Sequence, residues 1–152
     1  MRSLARLIGT GFGTGYLPYF PGTWGSLAAL FTAWVVPYFT SLPIFFYIIG
    51  GFFAIGVWAG GEVEKDYGKD AKEITIDEFV GQWITLLFVP KTVLAFLLAF
   101  IFFRFFDVAK IEPINKLQKL PKGWGVMVDD VAAGVYANLS VHLTLWATGS
   151  FS

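Results

Sequence analysis

From Leu7 to Gly61 the chain carries no charged side chain, a run of 55 residues. One membrane helix needs about 20 consecutive apolar residues. The run is therefore too long for a single crossing and suits two crossings with a connection between them. A soluble domain has about 25% charged residues, whereas this chain has 14%, with 56% hydrophobic and 19% aromatic. Two more stretches are nearly charge-free: Lys91 is the only charge from Phe79 to Phe103, and from Val131 to Ser152 only the His142 side chain can titrate near neutral pH.

Five apolar segments follow. The first runs from about Gly22 to Phe39, the second from about Ile44 to Gly61, with Pro37 and Pro43 bracketing a break. The third starts near Phe79 and reaches Pro90–Lys91, short for a full crossing and so a half-depth or tilted element. The fourth spans Thr92 to Phe106 and the fifth Val131 to Thr148. If each segment reverses direction, residues 1–21, 62–78 and 104–130 share one membrane face. That face holds 10 of the 11 Lys and Arg residues, all but Lys91, and all 11 acidic residues. Positive charge marks the cytoplasmic side. The reading is an all-α, integral membrane helical bundle of four to five membrane segments, residues 1–152 as one membrane-embedded domain, its site at the cytoplasmic face. A bacterial inner membrane is the extrapolated location. Met1–Arg6 carries two arginines but lacks a clean apolar stretch and a small-residue cleavage site behind it, so it does not read as a cleaved signal peptide.

Several functions drop out. Net charge is zero, which gives nucleic acid no basic surface. The absence of cysteine removes disulfides, thiolate zinc sites and cysteine nucleophiles. A lone His142 excludes any arrangement needing separate nucleophilic and acid histidines. Beside Ser140 and Thr144 it reads as an interhelical hydrogen-bond partner before it reads as a catalyst.

Four stretches carry chemistry. GTGFGTGYLPYFPGTWGS (9–26) is a glycine-rich loop entering a helix, where free N–H groups and the helix dipole suit an anion. Thr23 and Ser26 there can cap the helix or bond phosphate oxygens. It is neither a Walker loop nor a dinucleotide fingerprint. KEITIDE (72–78) resembles a strand or an extended entry into the membrane. Overlapping it, ITIDEFVGQW (74–83) sets Asp77 and Glu78 where the third segment begins, and these suit a helix N-terminus or a hard cation. In FFRFFDVAKIEPI (102–114), Arg104, Asp107 and Lys110 recur every three residues along one helix stripe. That gives a phosphate and metal arrangement or an ordinary intrahelical ion pair. In GWGVMVDDVAAG (123–134), Asp129 and Asp130 adjoin at the head of an apolar segment. One could cap the helix, but a second carboxylate needs its own partner. Mg²⁺, shared with Glu78 and with Asp107 as a further contributor, supplies it.

Taken in order, P-G-T-W-G-S (21–26), I-D-E-F-V-G (76–81), F-R-F-F-D-V-A-K (103–110) and G-V-M-V-D-D-V-A-A-G (125–134) resemble the phosphatidylglycerophosphatase A family of integral membrane lipid phosphatases, over nearly the whole chain. One departure stands out: Lys110 is followed by Ile111, Glu112 and Pro113, where that family has lysine then proline. The resemblance implies Mg²⁺-dependent hydrolysis of phosphatidylglycerol phosphate to phosphatidylglycerol and inorganic phosphate. Glu78, Asp129 and Asp130 would hold Mg²⁺, with Asp77 or Asp107 as further ligands. Arg104, Lys110 and the 21–26 loop, through Thr23 and Ser26, would bind phosphate. Metal-activated water is the favoured nucleophile, an aspartyl-phosphate the open alternative.

Two rivals remain at this level. A Mg²⁺-dependent lipid headgroup phosphotransferase would use similar carboxylates, but its spaced aspartate series is absent here. A non-enzymatic ion-binding transporter expects charges at mid-membrane. The partners expected are a phosphorylated glycerolipid and membrane lipid, with no nucleic acid. Gly50, Gly51 and Gly134 could serve contacts within the chain or in a homo-oligomer.

Overall fold

The computed structural model describes residues 1–36 and 41–151, and every regular element among them is helical. In chain order these are α1 (Arg2–Gly9), a 3₁₀ turn (Thr14–Tyr16), α2 (Pro21–Val35), α3 (Leu42–Tyr67), α4 (Ile76–Thr85), α5 (Val93–Ala109), α6 (Ile114–Leu117) and α7 (Trp124–Ala147). The all-α expectation holds. The Phe39 end of the first segment and the Pro37 half of its break lie outside the described residues. Pro43 sits in the first turn of α3, where its missing N–H costs nothing.

Among the described residues, α3 is the one helix both long and apolar enough to cross a membrane. It associates the chain with lipid, and its 26 residues carry on past the apolar part through Glu62–Tyr67. The four-to-five-span expectation is narrowed accordingly. α2 has 15 residues and α5 has 17, short of the ~20 a full crossing takes. α7 has the length, at 24 residues, but Asp129, Asp130 and its polar second half dilute its hydropathy.

α4 is the centre of the bundle. All of its residues except Ile84 are buried, enclosed by α2, α3, α5 and α7. At 10 residues it rises only ~15 Å. A helix that short can end at membrane depth only if protein satisfies its last carbonyls. α7 does so: Asn138 Nδ2 donates to the carbonyls of Thr85 (3.0 Å) and Leu87 (2.8 Å), and His142 Nε2 lies 3.0 Å from the Leu87 carbonyl oxygen. His142 thus ties α7 to the turn that follows α4 rather than to a second helix. Ser140 and Thr144 instead bond back to carbonyls of their own helix.

The strand expected at KEITIDE is absent: turns lead straight into α4 at Ile76. Burial overrides the β-branched preference of Ile74, Thr75 and Ile76. Ile76 is fully buried, and Thr75 is claimed by the glycine loop. Its N–H donates to the Gly9 carbonyl (3.0 Å), and its hydroxyl meets that of Thr14 at 2.8 Å.

α4 and α7 touch backbone to backbone. A Cβ on Gly134 would come 2.5 Å from the Gly81 carbonyl oxygen, and one on Gly81 would come 2.7 Å from that of Asp130. Small residues at a helix crossing allow this approach, and here it fixes Asp130 beside the first turns of α4.

Candidate functional site

The four blocks meet at one end of the bundle. α2 and α4 begin there, α5 ends there, and Asp129 and Asp130 lie in the second turn of α7. A cavity of about 220 Å³ opens between them. Its walls include Gly22, Asp77, Glu78, Arg104, Asp107, Lys110 and Asp130.

Local structure aims each group. Asp77 and Glu78 occupy the first turn of α4, where the helix dipole favours carboxylates. Asp77 Oδ1 accepts the Glu78 N–H at 3.0 Å. Arg104 and Asp107 are one turn apart near the end of α5. Lys110 is the C-cap residue of that helix in the left-handed conformation, φ 47° and ψ 45°, which turns the chain away and lets the side chain reach α7. α7 starts at Trp124 after Gly123, so neither Asp129 nor Asp130 is a cap, and that reading falls. α2 likewise is preceded by Phe20 and starts at Pro21, with no side-chain cap, so neither Thr23 nor Ser26 caps it.

A continuous ionic chain crosses the site. Ser26 Oγ donates to Glu78 Oε2 at 2.9 Å. Arg104 Nη1 reaches Glu78 Oε1 and Oε2 (2.8 and 2.7 Å) and Asp107 Oδ2 (2.6 Å). Lys110 Nζ bridges Asp107 Oδ1 (3.2 Å) and Asp129 Oδ2 (2.6 Å). All three Arg104 contacts run through Nη1, and a guanidinium carries five N–H donors, so donor capacity is left for a phosphate oxygen.

The balance of charge is the central fact. Five carboxylates, all 9% exposed or less, face two cations. Burial, then the Asp107 charge, pushes Glu78 up to about 8 despite Arg104. Burial with neighbouring carboxylates holds Asp77 and Asp130 well above the usual range. Asp129 rises to about 6 by burial, opposed by Lys110. Burial would lower the Lys110 ammonium, but Asp130, Asp129 and Asp107 outweigh it and raise it. Such a site is short of positive charge.

Oxygens of Glu78, Asp107 and Asp130 lie within 4.8 Å of one another. Asp130 Oδ2 and Asp129 Oδ1 are buried without a partner among the described residues. An all-carboxylate set of hard oxygens with an orphaned atom is what a small divalent cation such as Mg²⁺ takes. The geometry groups Asp107 with Glu78 and Asp130 and sets Asp129, read from the sequence as a ligand, against Lys110. Ser26, read as a phosphate contact, is fully buried and engaged with Glu78. Thr23 lies half-buried in the first turn of α2, outside the cavity wall. Four wall residues escaped sequence reasoning: Phe20, Asp70, Ala71 and Lys72. The last three stand in the long polar stretch 62–78, whose return over the site no local pattern announces.

Comparison with known proteins matches this arrangement to one family. The family model described as Phosphatidylglycerophosphatase A matches residues 7–145. A Bacteroides thetaiotaomicron protein, provisionally named a phosphatidylinositol-3-phosphatase, is 39% identical over 96% of this chain and 96% of its own. Proteins named phosphatidylglycerophosphatase A from Haemophilus influenzae and Escherichia coli are 38% and 37% identical, over 90% and 86% of this chain and 85% and 77% of theirs. No solved structure matches.

Proposed function

From the chain's place in the phosphatidylglycerophosphatase A family, to which it belongs, we propose that it is a Mg²⁺-dependent phosphatase that hydrolyses phosphatidylglycerol phosphate at the cytoplasmic face of a bacterial inner membrane. The observation that carries the metal is the surplus of buried carboxylate over cation, with three converging oxygens and the orphaned Asp130 Oδ2.

The reaction breaks the terminal phosphate ester: water supplies the oxygen that joins phosphorus, and the lipid alcohol leaves with a proton. Phosphoryl transfer asks a protein mainly for positioning and charge neutralisation. Glu78, Asp107 and Asp130 would hold Mg²⁺, which supplies neutralisation of phosphate charge and acidifies water. The remaining groups work on their own account. Arg104 presents its free donors to a phosphate oxygen while its Nη1 holds Glu78 and Asp107 in place. Ser26 fixes the rotamer of Glu78. Lys110 locks Asp129 and, with it, the register of α5 against α7. Asp77, at the cavity wall with one oxygen engaged by backbone, is placed to take or give a proton. The exposed apolar belt on α2, α5 and α7 supports all four long helices lying in the bilayer around α4.

The deciding experiment is phosphate release from phosphatidylglycerol phosphate in micelles by purified protein, with Mg²⁺ and then with excess chelator. Release that requires the metal is expected. No release under any metal would sink the reading. The Bacteroides relative motivates a second substrate arm: faster release from phosphatidylinositol 3-phosphate would keep the chemistry and move the headgroup.

A further inference from the structure

Between α2 and α5 lies a groove of about 390 Å³ with almost wholly apolar walls. α2 contributes Leu27, Leu30 and Trp34, and α5 contributes Val93, Leu97 and Phe100. On α2 these follow Thr23 by four, seven and eleven residues; on α5 they precede Arg104 by four, seven and eleven. That spacing makes each set one stripe of its helix. α2 begins at the acidic cavity and α5 ends there, so both stripes descend from it side by side. At their head, a Cβ on Gly22 would come 3.0 Å from Arg104 Nη1. At the foot, Lys91 Nζ stands 5.7 Å from the Trp34 ring. Leu97 and Val93 remain 55% and 66% exposed, so the groove is open along its side.

We propose that this groove seats an acyl chain of the phosphorylated lipid whose phosphate enters the cavity at Arg104. The proposal rests on the lipid phosphatase reading and adds to it a binding subsite. One helical turn, ~6 Å, separates Arg104 from Phe100, room for a glycerol ester between phosphate and chain. From Phe100 to Val93 the groove runs a further ~10 Å. Lipid tails are already apolar in a bilayer, so the groove supplies orientation there. For a monomeric substrate it also removes the chain from water, at about fourfold in affinity per methylene.

The test uses full-length protein in detergent and monomeric phosphatidylglycerol phosphate analogues that are deacylated, six-carbon or eight-carbon in their chains. The readout is the ratio of kcat/KM for the eight-carbon analogue to that for the deacylated one. Leu97→Trp, which fills the groove midway, is expected to lower this ratio at least tenfold. Val93→Trp, at the exposed foot, serves if Leu97→Trp fails to melt cooperatively, and is expected to affect the longer chain more than the shorter. Leu143→Trp, on the outer face of α7 and 65% exposed, is the control. An unchanged ratio in the groove variants overturns the proposal. So does an unchanged ratio with an altered oligomeric state, which would give the groove to a second copy of the chain. Absence of hydrolysis of every analogue by the unsubstituted protein overturns the phosphatase reading instead.

Discussion

Asp130 is the residue on which the site's electrostatics turn. Its Oδ2 is buried with no partner among the described residues, and an uncompensated buried charge costs several kcal/mol. Asp130→Asn should therefore melt at a higher temperature than the unsubstituted chain in chelator, and lose most of the stabilisation that Mg²⁺ confers. Its phosphate release should fall by more than the roughly 10–100-fold typical of groups that merely support a metal ligand. Near-normal turnover would remove Asp130 from the ligand set. A pH effect follows from Glu78, whose carboxyl is raised from 4.5 to about 8 in the folded chain. Between those values the folded state binds the proton that the unfolded chain has released. Metal-free stability should then be highest on the acid side and fall as pH rises, by up to about 1.4 kcal/mol per unit from this group. Divalent ions bind carboxylates, so the Mg²⁺-induced rise in Tm should widen over the same interval. Melting curves with and without chelator from pH 5 to 8 check both, and a flat chelated series would contradict them. At this scale the sequence was informative about membership of the site. All five carboxylates and both cations were named from residue type and block. Which carboxylate pairs with which cation was not legible, because Lys110 finds Asp129 only through the left-handed turn that ends α5.

At the scale of elements, α4 shows what a short apolar stretch conceals. Its shortness was readable in the sequence, and Asp77 and Glu78 marked its first turn; the approach to it was not, because Ile74, Thr75 and Ile76 favour extended backbone until neighbours bury them. Its depth depends on α7 on two counts: the glycine contact at Gly81 and Gly134, and the carbonyls held by Asn138 and His142. Gly134→Leu should push the two helices apart, costing about 1–3 kcal/mol or more and displacing Asp130, so thermal stability and phosphate release fall together. Asn138→Leu removes the donor to the Thr85 carbonyl and leaves the Leu87 carbonyl to His142 alone, an expected loss of about 1–3 kcal/mol. The residual folded fraction should keep its KM, since nothing at the cavity changes.

For the molecule as a whole, the charge map carried most of the information, because lipid penalises misplaced charge more sharply than any local propensity operates. The expected topology rests on where Lys, Arg, Asp and Glu fall. Span count is not fixed by that map, since the helix α2 stops at Val35, before its apolar run does. The chain has no cysteine, so single cysteines report its orientation without background. Lys91→Cys should react with a membrane-impermeant thiol reagent added outside intact spheroplasts, while Lys69→Cys and Lys122→Cys should react only after lysis. The reverse pattern would place the acidic cavity outside the cell.

The dependence of α4 on α7 also sets an order of events during synthesis. Chains elongate at about 5–20 residues per second, so roughly 3–12 s separate the emergence of Thr85 from that of Ala147. Throughout that interval the carbonyls of Thr85 and Leu87 have no donor at membrane depth, and a bilayer does not tolerate them bare. On the membrane arrangement proposed above, α4 waits at the surface, its carboxylates in water, until the last helix arrives. On the proposed reading the acidic cavity is assembled in one late step, when α7 brings Asp129 and Asp130 to a bundle that until then has no donor for the last carbonyls of α4.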